Sequence, residues 1–107
     1  MLKSLPADVR AYRRTPEFTE ATIPKGLLNE HTTKPGVWAV IHVTQGLLEY
    51  HILKPEPERR LLTPDRPGIV EPAVPHEVAP LGRVRFYVEF HAHAALADDT
   101  GDAPAGD

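Results

Sequence analysis

Read for alternation of apolar and polar positions, the middle of the chain contains two β-rich runs, residues 37–44 and 47–53, joined by Gln45-Gly46. Glycine supplies the positive φ of a tight turn, so the pattern predicts a two-residue hairpin. Its register sets Thr44 opposite Leu47, His42 opposite Glu49, Val40 opposite His51 and Trp38 opposite Leu53. The other face holds Val37, Ala39, Ile41, Val43, Leu48, Tyr50 and Ile52; it is continuously apolar and is expected to be core. Residues 84–91 alternate as cleanly, with Val84, Phe86, Val88 and Phe90 on one side and Arg85, Tyr87, Glu89 and His91 on the other. Shorter extended stretches are expected over 18–23, 60–63, 68–71 and 76–78, separated by Pro or Gly at spacings that fit a sandwich or barrel.

Twelve prolines and seven glycines sharpen this picture, because only two Pro-free intervals exceed fifteen residues, 36–54 and 81–103. A helical bundle is excluded by such interruption, and the folded part is expected to be all-β with at most a short helical turn. The segment 94–107 carries Asp98, Asp99, Asp102 and Asp107, no basic residue and little that is bulky and apolar. It reads as a disordered acidic tail after a single domain spanning 1–93.

Charge and composition narrow the function classes. The net charge of −3 and the lack of any basic stretch longer than Arg13-Arg14 or Arg59-Arg60 argue against nucleic-acid binding. The longest apolar run, 37–41, is far below the roughly twenty residues of a membrane span, and no signal peptide is visible at the start, so a cytoplasmic location is expected. Without cysteine, any metal must be held by His and carboxylate, and the chain has six histidines. No Gly-rich phosphate loop and no serine-nucleophile arrangement is present.

The candidate chemistry lies around the turn Pro72-Ala73-Val74-Pro75. A four-residue loop would set Glu71 against His76 on one face. A second hairpin through Pro80-Leu81-Gly82-Arg83 would pair His76 with Tyr87 and bring Glu89 to the same side. Two His and one carboxylate suit Zn, Fe, Ni or Mn, with open positions for a small molecule or an oxyanion. The polar face with His42, Glu49 and His51 is a weaker candidate, as is the pair His91 and His93; a solvated sheet face explains both. Trp38 with Leu53 on that face suggests a second packing surface, either under the amino-terminal strands or at a dimer contact, most simply in a two-fold homodimer.

Residues 68–76 resemble the second cupin motif, in which a Pro-Gly opening leads to a Pro-containing turn and a metal-binding His. The first motif is matched by residues 26–31 and by Gly46, with Thr33 where a second His is usual and Ala39 near the usual Glu. Leu5-Pro6, Tyr12-Arg13-Arg14-Thr15-Pro16, Gly26-Leu27-Leu28, His31-Thr32-Thr33-Lys34, Gly36-Val37-Trp38, Pro75-His76 and Phe86-Tyr87-Val88-Glu89-Phe90 extend the likeness over nearly all of 4–92. Together they resemble the cupin-like family of bacterial tellurite-resistance proteins, found as the leading domain of the tellurite methyltransferase TehB and as stand-alone proteins of the YeaR type. The resemblance implies a double-stranded β-helix, a jelly-roll barrel, with His31 and His76 as metal positions and Glu89 and Glu71 as further oxygen donors. It also implies a role in the response to toxic oxyanions or to oxidative and nitrosative stress. A minimal dioxygenase or isomerase, and a metal-free sensor or adaptor for a small ligand, are the alternative readings. No methyltransferase domain follows in the sequence, so the stand-alone type is expected and tellurite methylation is not assigned.

Overall fold

Gly46 does not turn the chain back. In the computed structural model, which describes residues 5–93, the expected central hairpin is one long strand, β3 (Trp38–Ile52). The other elements are β1 (Val9–Arg14), β2 (Phe18–Thr19), a single helical turn α1 (Lys25–Leu28), β4 (Glu58–Leu62), β5 (Gly68–Val70) and β6 (His76–His93). They form one antiparallel sheet in the order β1-β6-β3-β4, with β2 added to β6 and β5 to β3; the sheet is not closed. β3 and β6 run side by side over their whole lengths, from Trp38↔His91 to Ile52↔His76.

The hairpin is replaced by two irregularities in this ladder, between Val43 and Gln45 and between Gly46 and Leu48. Gly46 at φ +85° and Gly82 at φ +78° accommodate them. A bulge exchanges the two faces of a strand, as a two-residue loop does, so Val37, Ala39, Ile41 and Val43 still share the core with Leu48, Tyr50 and Ile52. The assignment of faces therefore holds while the predicted cross-strand pairs do not. His42 faces Tyr87, Val40 lies between Glu89 and Ile69, and Trp38 and Leu53 are at opposite ends of the strand. The apolar patch expected from Trp38 against Leu53 does not form.

The second expected hairpin, through 80–83, is likewise absent, because β6 continues across it and pairs His76 with Ile52 rather than with Tyr87. The stretch expected over 18–23 keeps only two strand residues, since the Thr22 hydroxyl and amide both turn back on Thr19. β1 carries no alternation that marks a strand. It is an edge strand, where charged residues such as Arg10, Arg13 and Arg14 are the usual occupants.

Tyr50, Phe86, Leu48, Val37, Val70 and Val84 form the fully buried centre. The Tyr50 hydroxyl donates to the Ile69 carbonyl at 3.0 Å, which satisfies the one polar group such a ring brings inside. Among the described residues no helix is long and apolar enough to cross a membrane. The segment read as an acidic tail, 94–107, lies outside the described residues.

Candidate functional site

Because β6 is continuous, alternation along it has one phase: His76, Val78, Val84, Phe86, Val88 and Phe90 turn inward together. All of these except Val84, with residues of β3, β5 and the 13–33 segment, line a cavity of about 250 Å³. His76 and Phe90 stand near opposite ends of one strand and border the same space, so the sheet wraps around it.

His31 joins this wall through backbone pairing. Its N–H donates to the His76 carbonyl at 3.0 Å, and the His76 N–H donates back to the His31 carbonyl at 2.9 Å. The two imidazoles are thereby stacked obliquely, with ring centres 4.0 Å apart. Each ring is anchored from behind: His31 Nδ1 donates to the Asn29 carbonyl at 3.0 Å and His76 Nδ1 to the Val74 carbonyl at 2.8 Å. A carbonyl only accepts, so both Nδ1 atoms carry the proton and both Nε2 atoms hold a free lone pair. Histidines that bind metals commonly have the other ring N–H held in this way.

The turn that aims His76 has its own strain. Ala73 sits at φ +60°, a left-handed conformation costing about 1 kcal/mol for a residue with a side chain. Its N–H reaches the Thr33 hydroxyl at 3.4 Å, and the Val74 N–H reaches the Glu71 carbonyl at 3.4 Å. Pro72 and Pro75 stiffen the remainder, which presents the Val74 carbonyl to the ring of His76. His76 is 3 % exposed, and burial, reinforced by the neighbouring His31, lowers its pKa from 6.5 to about 4, only partly opposed by the Val74 carbonyl. The ring is neutral at pH 7.

Of the four residues expected to converge, the structure brings together two. Glu89 occupies the other phase of β6 and points to the opposite side of the sheet, where it meets His91 at 3.0 Å and His42 at 3.5 Å. Glu71 opens the turn instead of facing His76, whose neighbours across the ladders are His31 and Ile52. Thr33 and Ala39 both line the cavity; the Thr33 hydroxyl donates to the Val37 carbonyl at 2.8 Å. Among the described residues no group of three or more His, Asp or Glu is placed to hold a metal ion.

The outer-face histidines are engaged with carboxylates. His51 lies between Glu49 at 2.9 Å and Glu77 at 3.2 Å, and these hydrogen bonds raise its pKa. His42 stacks on Tyr87 with 4.8 Å between ring centres, and the Arg14 guanidinium lies over the same tyrosine at 4.3 Å. Sequence reasoning missed Arg13, which lines the cavity from β1 opposite Phe90. Only the pairing of an unforeseen edge strand places it there.

Residues 13–88 match the TehB-like domain. The chain belongs to the TehB-like domain family. Both histidines, their anchoring carbonyls and most of the cavity wall fall inside the TehB-like segment, while Glu89 lies one residue beyond it. No match was found among curated proteins. Two solved structures share the fold. TehB from Haemophilus influenzae aligns with a TM-score of 0.75 and 24% identity, covering 81% of this chain and 32% of that one. A protein from E. coli strain K12 aligns with a TM-score of 0.78 and 24% identity, covering 87% of this chain and 98% of that one. This chain thus spans about a third of the length of the H. influenzae TehB.

Proposed function

We propose that this TehB-like domain is a cupin-like metal-binding protein of the cytoplasm, acting in a response to toxic oxyanions or to oxidative and nitrosative stress. The observation that carries the reading is the His31–His76 pair, with both Nδ1 atoms anchored and both Nε2 lone pairs left for the cavity. Two imidazoles suit Zn, Fe, Ni or Mn, and they leave the remaining positions to water or a small ligand. A divalent ion there supplies Lewis acidity for an oxyanion or a bound water. The protein's part is to hold two imidazoles by their Nδ1–H groups beside an apolar wall.

Elemental analysis of untagged protein purified without added metal tests this. About one ion per chain is expected, lost in His76→Ala and retained in His42→Ala, with the β-sheet circular dichroism intact in both. Metal that survives His76→Ala and disappears with His42→Ala or His51→Ala would move the site to the outer face and reject the reading. A homodimer belongs to the same proposal, and Leu28, Leu47, Leu61 and Leu81 are the exposed large apolar side chains it would draw on. Light scattering is expected to give twice the chain mass; a monomer at high micromolar concentration rejects that part.

A further inference from the structure

The cavity is built for more than an ion. Its wall is largely Phe18, Leu27, Ile41, Phe86, Val88 and Phe90. The hydroxyls on it are already used: Thr15 donates to the Pro16 carbonyl at 2.8 Å and accepts from the Val88 N–H at 3.0 Å, and Thr33 donates to Val37. Two polar features remain. One is the pair of Nε2 acceptors on His31 and His76. The other is Arg13, exposed at the cavity's edge and in no ion pair among the described residues. Arg14 also borders the cavity, but its guanidinium is held over the Tyr87 ring at 4.3 Å.

We propose that this cavity binds an organic monocarboxylate with an apolar body, its carboxylate at Arg13 in the mouth and a hydroxyl at the His31–His76 end. The inner end rests on the site of the proposed function; the body and the mouth do not. Size supports the class, since a cavity of about 150 Å³ admits benzene and 250 Å³ therefore takes about ten non-hydrogen atoms. With no metal ion at the histidine end, charge decides against a compact inorganic oxyanion lodged inside, because it would lose its hydration among phenylalanine and valine with no cation beside it. A monocarboxylate instead leaves its charge at the solvated mouth, where one guanidinium can take it bidentately. At the far end a hydroxyl donates to a neutral Nε2, or meets an ion held there.

Calorimetric titration of the full chain with 4-hydroxyphenylacetate, once in EDTA and once with one equivalent of Zn(II), tests the proposal. Saturable one-to-one binding with Kd of order 100 μM is expected in at least one condition. Arg13→Gln, an exposed change that leaves the melting temperature in place, is expected to weaken binding about tenfold. Phenylacetate, which lacks the hydroxyl, is expected to bind several-fold more weakly, and in EDTA tellurite is expected not to compete. No saturable binding up to millimolar concentration in either condition, or unchanged binding by Arg13→Gln, overturns the proposal. The two readings separate cleanly. A chain that carries metal at His31 and His76 but ignores the probe removes this inference alone. A chain that binds the probe through Arg13 without ever holding metal removes only the metal reading.

Discussion

Gly46→Ala is expected to leave no stable folded protein. A Cβ at this position would stand 2.1 Å from the Arg83 carbonyl oxygen, 3.1 Å from its carbon and 3.1 Å from the Val84 Cα, and the residue already sits at φ +85°. Every one of those atoms is backbone, so no rotamer change relieves the overlap. Relief requires opening the β3–β6 ladder where the strands carry their bulges, which would expose Val43, Leu48, Val84 and Phe86. A loss of about 4 kcal/mol or more is expected, most of the total stability of a domain this small. Gly82→Ala is the control. It has nearly the same φ, +78°, but nothing lies within 4 Å of its would-be Cβ. Its cost is limited to the backbone conformation, about 1 kcal/mol. Urea unfolding of the three proteins checks both values. A Gly46→Ala midpoint close to that of Gly82→Ala would show that the strands do not cross in this register.

The same glycine shows what was legible in the sequence. Hydrophobic alternation around Gly46 reports which side chains share a face, and that reading was correct for seven residues from Val37 to Ile52. It does not report the path, because a tight loop and a bulge exchange faces alike. Which of the two forms is decided by Arg83 and Val84 lying against Gly46, a contact distant in sequence. The mistake at Gly82 had larger consequences for the site. A turn there would have returned Glu89 toward His76, whereas in one continuous strand an even and an odd position point apart. His76 was singled out by the turn through Pro72 and Pro75, and His31 by resemblance to a motif. The Nδ1 anchors on Asn29 and Val74 are backbone carbonyls, which no side-chain pattern encodes. Arg13 was given no place in the site for a different reason: an edge strand needs no apolar alternation, so nothing marked β1 as a strand.

Acidification is expected to destabilise the protein through His76, while His51 acts in the opposite direction. In the unfolded chain a histidine takes up its proton near pH 6.5; folded His76 does so only near pH 4, because burial and the adjacent His31 disfavour the imidazolium. Between these values the unfolded state binds the additional proton, so stability rises with pH across the window and falls by roughly 3 kcal/mol as pH drops through it. His51 has the reverse sign, its folded pKa being raised by hydrogen bonds from the ring to Glu49 and Glu77. Its contribution is fully present below about pH 6.5 and is lost as pH rises through the elevated folded value. Urea unfolding from pH 4.5 to 9, in EDTA so that no metal linkage enters, separates the two. In His76→Leu the fall in stability from pH 7 to pH 4.5 is expected to shrink by about 2 to 3 kcal/mol, whatever the variant's absolute stability. In His51→Gln the deficit relative to wild type is expected to be largest near pH 6 and to narrow toward pH 9. Side chains of Glu49, His51 and Glu77 remain 22 to 32% exposed, so the second effect is the smaller. A His76→Leu curve that runs parallel to wild type on the acid side would mean that the ring is already hydrated in the folded state. The neutral, anchored imidazole on which the proposed site depends would then be lost.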